Sequence, residues 1–461
     1  QRPAVRNDLK HDFEPFKNHD SQVSTPNMLR LADAGMVFTQ AYTTAPVCSP
    51  SRAGLNTGKN QFRWDEKASW TPGLPDSVKT IAEYLKEAGY STARVGKADF
   101  GTNYHKFDVR EYPLNHGYDY FLGFSAHAHD YWLLSDEMAK RTPDPNGTSA
   151  HLGPLMENGG YKSYDEGYIT EIFTDEAIKY LETEKEKPFF LTLSYNSVHH
   201  IIHEVPQKYL DKYNVSPIHN YEPDSMETFQ KQKPGSYSAY YEKYTRPGDI
   251  NDEDMRKFYL ANLNCLDDNI GRVLDALKEE KLDKNTLVIF ISDNGGSPLT
   301  GAKNSPLSAG KYSLWEGGIR VPMAMSWPGK VEAGKVQNSY VSALDILPTI
   351  AEAAGIELTD ETIDGKNLLK PDTERLLVWR WGNTWAVRKG DWKLTNANEQ
   401  WGKGRPTNLY IKPISDDLSL KLFNLENDPG ERTNLAEEMV DKVSELKMDY
   451  ENWLKENSGK Y

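Results

Sequence analysis

Thr286-Leu287-Val288-Ile289-Phe290-Ile291-Ser292-Asp293-Asn294-Gly295-Gly296 is an apolar, partly β-branched run that stops on three polar residues and two glycines. A run that is apolar at successive positions, not alternate ones, reads as a strand covered on both faces. Upstream, the spacing predicts a long helix from about Asp254 to Glu279, so the unit is helix, strand, polar turn.

Two earlier segments follow the same plan. A helix from about Ser77 to Ala88, stopped by Gly89, leads to a strand from Tyr90 to Val95 that ends at Gly96-Lys97. A second helix from about Glu166 to Lys185, broken by Pro188, leads to the strand Phe189-Phe190-Leu191-Thr192-Leu193, and the chain then reaches Asn196 and His199. Thr25-Pro26 opens a further helix with Thr as N-cap and Pro in the first turn, followed by a short strand, Val37 to Tyr42. Helices alternating with such strands predict an α/β fold, a large, mostly parallel sheet flanked by helices. Ligands of open sheets bind beyond the carboxyl ends of the strands, so Lys97, His199 and Asp293-Asn294 are expected around one site.

After a helix at about Ser342 to Ala354 the texture changes. Trp385 to Arg388, the turn Lys389-Gly390-Asp391 and Trp392 to Leu394 read as a hairpin. Leu422 to Leu425 is another strand, and a polar amphipathic helix runs from about Leu435 to Leu454. The expectation is a large domain over 1–370 and a smaller antiparallel-sheet-plus-helix domain over 371–461.

In 461 residues, 54 Lys and Arg against 68 Asp and Glu leave a formal charge of −14. That argues against a nucleic-acid partner, which needs a basic footprint. An anionic ligand would need positive charge concentrated locally. No apolar run is long enough to span a membrane. The two cysteines, Cys48 and Cys265, make no disulfide framework; Cys265 reads as a buried helix residue.

Cys48 lies in Thr43-Thr44-Ala45-Pro46-Val47-Cys48-Ser49-Pro50-Ser51-Arg52-Ala53-Gly54-Leu55-Asn56-Thr57-Gly58. A lone Cys is ordinarily a small buried apolar residue; Arg52, four residues on, is a cation of the kind that activates a thiol. The string Cys-x-Pro-x-Arg followed by Thr-Gly resembles the signature of the formylglycine-dependent sulfatases of the alkaline-phosphatase superfamily. The resemblance implies that Cys48 is oxidised after translation to a formylglycine whose hydrate attacks sulfur. It extends to Gly310-Lys311-Tyr312-Ser313-Leu314-Trp315-Glu316-Gly317-Gly318-Ile319-Arg320-Val321-Pro322 and to Tyr195-Asn196-Ser197-Val198-His199-His200, and in all runs from about Thr25 to Asn434.

Within it, Arg52 holds the nucleophile, Lys97 and Lys311 bind sulfate with His199, and His199 is the leaving-group acid, aided by Lys311. Glu316 and Arg320 fix their loop. Asp293 and Asn294 offer a carboxylate and an amide oxygen to a Ca²⁺; taken alone, they are a turn with Asx hydrogen bonds. The family string places a His two residues after the first Lys, where this chain has Asp99. That His removes the proton that expels sulfate and restores the aldehyde, so Asp99 is expected to serve as this base, with His105 as a nearby substitute. An ordinary Asp, at pKa about 3.9, is a weaker base than His. His200 and His203 neighbour His199, but the spacing fits no zinc helix. The family also opens on an apolar strand ending in two Asp that complete the metal site. Gln1-Arg2-Pro3 resembles the residues immediately after that pair, so this first strand is expected to be missing from the sequence, with Asp8 as a stand-in.

The expectation is therefore a calcium-dependent sulfatase acting on a sulfated carbohydrate, matured by a formylglycine-generating or other sulfatase-maturing enzyme, periplasmic or secreted. His127 to Trp132 and Trp379-Arg380-Trp381 suit a sugar and suit core and turn equally. The alternatives are a formylglycine-dependent phosphodiesterase or phosphonate hydrolase, and a sulfoglycan-binding relative without catalysis.

Overall fold

Thr25-Pro26 does open a helix, α1 (Pro26–Asp33), but the Thr25 side chain makes no capping bond to it. In the computed structural model, which describes residues 13, 20–65, 73–101, 106–133, 154–164, 167–183, 186–218, 251–371, 374–398 and 418–459, the cap comes from elsewhere in the chain. The Asn27 and Met28 amides donate to the two carboxylate oxygens of Asp267 at 3.0 and 2.8 Å. A carboxylate at a helix N-terminus satisfies orphan amides and meets the positive end of the dipole. Asp267→Ala is expected to destabilise the fold by about 1–2 kcal/mol, read as a lowered urea midpoint at unchanged slope.

The described elements continue as β1 (Met36–Tyr42), α2 (Cys48–Thr57), α3 (Ile81–Glu87), β2 (Ser91–Lys97), β3 (Tyr120–Phe124), β4 (Leu155–Glu157), β5 (Gly160–Lys162), α4 (Ile169–Glu182), β6 (Phe189–Ser194), α5 (Asp252–Glu279), β7 (Val288–Ile291), β8 (Arg320–Ser326), β9 (Lys335–Gln337), β10 (Val341–Ser342), α6 (Ile346–Ala353), β11 (Leu376–Trp381), β12 (Thr384–Lys389), β13 (Trp392–Thr395), β14 (Lys421–Asn424) and α7 (Val440–Asn457). α3 starts later than expected because Thr80 and Glu83 form a reciprocal capping box. In α5, Asn251 caps the Asp254 amide, and three acidic residues fill the first turn.

The fold is α/β, with helix-flanked mixed sheets and a smaller C-terminal antiparallel sheet. One sheet has the order β5-β4-β3-β2-β6, its β3, β2 and β6 parallel. Another runs β10-β1-β8-β7 with β9 also on β1; here β8 is antiparallel to both β1 and β7. The strands expected in one sheet thus divide between two. Among the described residues β6 and β7 are the end strands of their sheets, and every residue in both is half-buried. Their side chains meet common clusters all the same: Leu191 and Val288 pack with Leu181, Ala276 and Leu277 of α4 and α5.

The third sheet, β11-β12-β13-β14, is antiparallel throughout and carries α7 on one face. The expected hairpin is its β12–β13 pair, turned at Gly390 with φ +58°. Trp379 and Trp381 are buried in this sheet against Tyr42, Val47 and Trp315, and the Trp379 indole donates to Thr43 O at 2.7 Å. Of the two readings open for that stretch, core is the one observed. Cys265 is fully buried in α5, and burial pushes its thiol up to about 12, so it is inert as a nucleophile.

Candidate active site

Three strand ends and one helix start converge. Lys97 ends β2, and Gly96 before it has φ +104°; a Cβ there would lie 2.1 Å from Ser194 O, so only glycine lets β2 lie this close to β6. Asn196 and His199 follow β6, Asp293 and Asn294 follow β7, and Cys48 begins α2. Gly295 is pressed against the Lys311–Gly318 segment, where a Cβ would meet Gly317 O at 1.9 Å. Arg52, Lys97, His199, Asp293, Asn294 and Lys311 line one cavity of about 140 Å³.

Cys48 is 2% exposed. Lys311 Nζ donates to its Sγ at 3.2 Å, and the thiol donates to Asn294 Oδ1 at 3.4 Å. One turn on, Arg52 Nε donates to Asp293 Oδ2 at 2.8 Å, and Nη1 donates to Ser194 Oγ at 2.5 Å and Lys97 O at 3.1 Å. One guanidinium therefore ties the ends of β2, β6 and β7 to α2.

Burial works against charge on Lys311, yet the Cys48 sulfur, Tyr312 and Asp293 hold its ammonium above the usual range. Burial likewise opposes ionisation of Asp293, and Arg52, Lys97 and Lys311 overcome it, so its carboxyl lies below the usual range. Three cations and the carboxylates of Asp293 and Asp99 leave a local surplus of positive charge in an acidic protein, as a preformed anion site requires.

His199 Nδ1 donates to His200 O at 3.1 Å, which leaves Nε2 as the basic nitrogen. Burial, then Lys311 and Lys97, hold its pKa well below the usual value. Its protonation therefore calls for an anion bound to those lysines. His200 and His203 are buried and held near pKa 3, chiefly by burial, as is His116. All three bind their proton less readily folded than unfolded, so stability rises with pH through this range. The melting temperature is expected to fall as the pH drops from about 6.5 toward 3, and thermal melts from pH 7 to pH 4 check it.

Asp99 is fully buried in a left-handed conformation, φ +53°. Its Oδ2 lies 3.0 Å from Lys97 Nζ, and its Oδ1 accepts from Ser49 Oγ at 2.5 Å and from His127 Nδ1 at 2.6 Å. Burial raises its pKa, and Lys97, His127 and Arg52 more than reverse that, holding it well below the carboxylate range. Sequence reasoning missed the contact with His127, although that residue too lies beyond the carboxyl end of a parallel strand, β3. His105 and Asp8 fall outside the described residues.

Asp293 and Asn294 are hard oxygen donors of the right kind for Ca²⁺, which takes six to eight. Among the described residues no cluster of three His, Cys, Asp or Glu side chains stands ready for a metal, and Asp293 Oδ2 is already engaged by Arg52. The described donors fit a cation only in part.

A buried nucleophile candidate among fixed cations defines a hydrolase site for an oxyanion ester. The sulfatase family profile matches residues 16–356, and that of the N-sulphoglucosamine sulphohydrolase C-terminal region matches 310–458. The chain belongs to the sulfatase family of the alkaline-phosphatase superfamily and is a sulfuric ester hydrolase. It is 29% identical to mouse (Mus musculus) N-acetylgalactosamine-6-sulfatase, across 91% of this chain and 78% of that one. It is 29% identical to an arylsulfatase of Hemicentrotus pulcherrimus, across 87% and 71%. Among solved structures, Ps i-CgsB in complex with k-i-k-neocarrahexaose superposes with TM-score 0.77 at 27% identity, covering 99% of this chain and 94% of that one. Among the described residues, no helix is long and apolar enough to cross a membrane.

Proposed function

We propose that this protein hydrolyses a sulfate ester of a sulfated carbohydrate, using a formylglycine made from Cys48. The observation that carries the reading is Cys48 at the start of α2, in contact with Lys311 and Asn294, two residues that line the cavity together with Arg52 and Lys97. When present, the formylglycine hydrate supplies a hydroxyl nucleophile that a thiol does not. The chain's own residues do the rest. Lys97 and Lys311 neutralise the sulfate oxygens, and Arg52 fixes the start of α2 relative to the strand ends. His199, once the anion offsets the lysines, gives a proton from Nε2 to the departing sugar oxygen. Asn196 is held through its Nδ2, which donates to His129 O at 2.9 Å, and faces the same cavity.

A carbohydrate, rather than a simple aryl ester, is favoured by the likeness to a protein crystallised with neocarrahexaose. In this reading Asp293 and Asn294 would offer two of the oxygen ligands of a Ca²⁺. Maturation by a formylglycine-generating or other sulfatase-maturing enzyme, and a periplasmic or secreted location, belong to it as well. So does a division at about residue 370, the second unit bracing the Lys311 segment.

The test is a peptide mass spectrum across Cys48 from protein co-produced with a formylglycine-generating enzyme, followed by assay on sulfated oligosaccharides and on phosphodiesters. Conversion to the aldehyde with sulfate release is expected. An unmodified thiol, or cleavage of phosphodiesters in preference to sulfates, would overturn the reading.

A further inference from the structure

The reaction proposed above needs a base near Cys48, and the residue at the expected position is poorly suited to be one. Asp99 is fully buried, and its carboxylate is engaged by Lys97, His127 and Ser49. Such a carboxylate accepts hydrogen bonds well and takes up a proton poorly.

Its geometry does something else. An ionised carboxylate only accepts, so the 2.6 Å contact from Asp99 Oδ1 fixes the proton of His127 on Nδ1. In the neutral ring the lone pair is then on Nε2, on the edge turned away from Asp99. The His127 side chain is 18% exposed and that of Asp99 is not exposed. The clamp is anchored to the nucleophile segment: Ser49, next to Cys48 in the first turn of α2, donates to Asp99 at 2.5 Å and lies 3.2 Å from His127 Nδ1. Lys97 ties the same carboxylate to the cavity wall.

We propose that His127 is the proton acceptor in the second half of the reaction and that Asp99 is its positioning residue. The inference rests on the sulfatase reading above. In the step assigned to it, His127 Nε2 removes the proton from the remaining hydroxyl on the sulfated carbon of residue 48. The O–H electron pair becomes the second bond of the aldehyde C=O. The C–O bond to sulfate breaks, and its electrons leave with the sulfate dianion. His127 then returns the proton to water. A carboxylate holding one His tautomer in place is a recurrent way to fix a base.

The variants are His127→Gln and Asp99→Asn in the matured protein, with 4-nitrophenyl sulfate as probe. For His127→Gln, nitrophenol release equal to the enzyme present is expected in the first turnover. Steady-state kcat is then expected to fall by about 10²–10⁴, with sulfate retained on the residue-48 peptide by mass spectrometry and partial rescue by added imidazole. For Asp99→Asn, kcat is expected to fall with KM little changed. An unchanged kcat for His127→Gln, or equal loss of burst and steady state with no retained sulfate, overturns the proposal. A second readout needs no turnover: in unmatured protein labelled with ¹⁵N-histidine, NMR is expected to find His127 as the Nδ1–H tautomer, dependent on Asp99. The Nε2–H tautomer would refute the assignment. If the wild-type protein keeps its thiol and releases no sulfate, the sulfatase reading fails instead, and the NMR result still decides the clamp.

Discussion

Cys48→Ala, matured alongside the wild type, loses sulfate release by about 10⁴–10⁶-fold while keeping its fold. Removing a nucleophile leaves only binding and fixed electrostatics, and losses of that order result when the attacking atom is deleted. The fold survives because the change removes one sulfur atom from a site whose architecture lies elsewhere. Arg52 still ties α2 to Asp293, Ser194 and Lys97 O, and the helix still ends at Gly58, φ +65°. Lys311 loses its sulfur contact and keeps the field of Asp293. Sulfate release is the activity readout, and a urea midpoint close to that of the wild type is the control. Release within tenfold of wild type would remove Cys48 from the chemistry. A collapsed midpoint would show instead that the thiol packs the site.

How far the sequence reveals this arrangement depends on the kind of interaction involved. β6 and β7 are legible because each is a short apolar run with a helix before it and a polar stop after it. β2, although it carries Ser91, Thr92 and Arg94, is legible because a helix precedes it and Gly96 closes it. That local pattern puts Lys97, His199 and Asp293 at or beyond the carboxyl ends. Their partition into two mixed sheets is not legible, because the residue pattern of a single strand carries no sign of the direction of its neighbour. β8, with Pro322 inside it, runs antiparallel to β1 and β7. α2 is hidden for another reason. Ser49, Pro50, Ser51, Gly54 and Asn56 are weak helix formers; the segment is helical because nearly all of it is buried, and tertiary packing overrides propensity. The cap on α1 and the Asp99–His127 contact escape for the same reason as each other. Asp267 reaches Asn27 across 240 positions of sequence and His127 reaches Asp99 across 28, and no local pattern encodes either meeting.

Lys393→Met shows how the C-terminal sheet supports the site. Lys393, on β13, is wholly buried, its Nζ 3.0 Å from Glu316 Oε1 and 2.7 Å from Glu431 Oε1. Glu316 also accepts from Tyr42 at 2.6 Å, and its amide donates to Glu431 at 2.7 Å. Glu316 stands five residues beyond Lys311, so this cluster pins the segment that carries a cavity-lining lysine to the C-terminal sheet. Burial and the neighbouring Glu316 charge, only partly relieved by Lys393, push the Glu431 carboxyl up to about 7. Glu316, with Lys393 and Arg320 beside it, stays below its usual value. One cation is therefore shared between two carboxylates. Methionine fills similar space and supplies no charge, which leaves two buried acids facing each other. Removing one partner of such a pair costs about 3–5 kcal/mol, a large part of the stability of an ordinary domain. The urea midpoint is expected to fall accordingly, and activity with it as the Lys311 segment loosens. Adding Glu431→Gln to Lys393→Met removes the repulsion and is expected to recover part of the loss. If Lys393→Met shifts stability by less than about 1 kcal/mol, the cluster is not what ties the two parts together, and contacts such as Trp315 with Phe423 and Trp379 with Tyr42 and Thr43 carry that role.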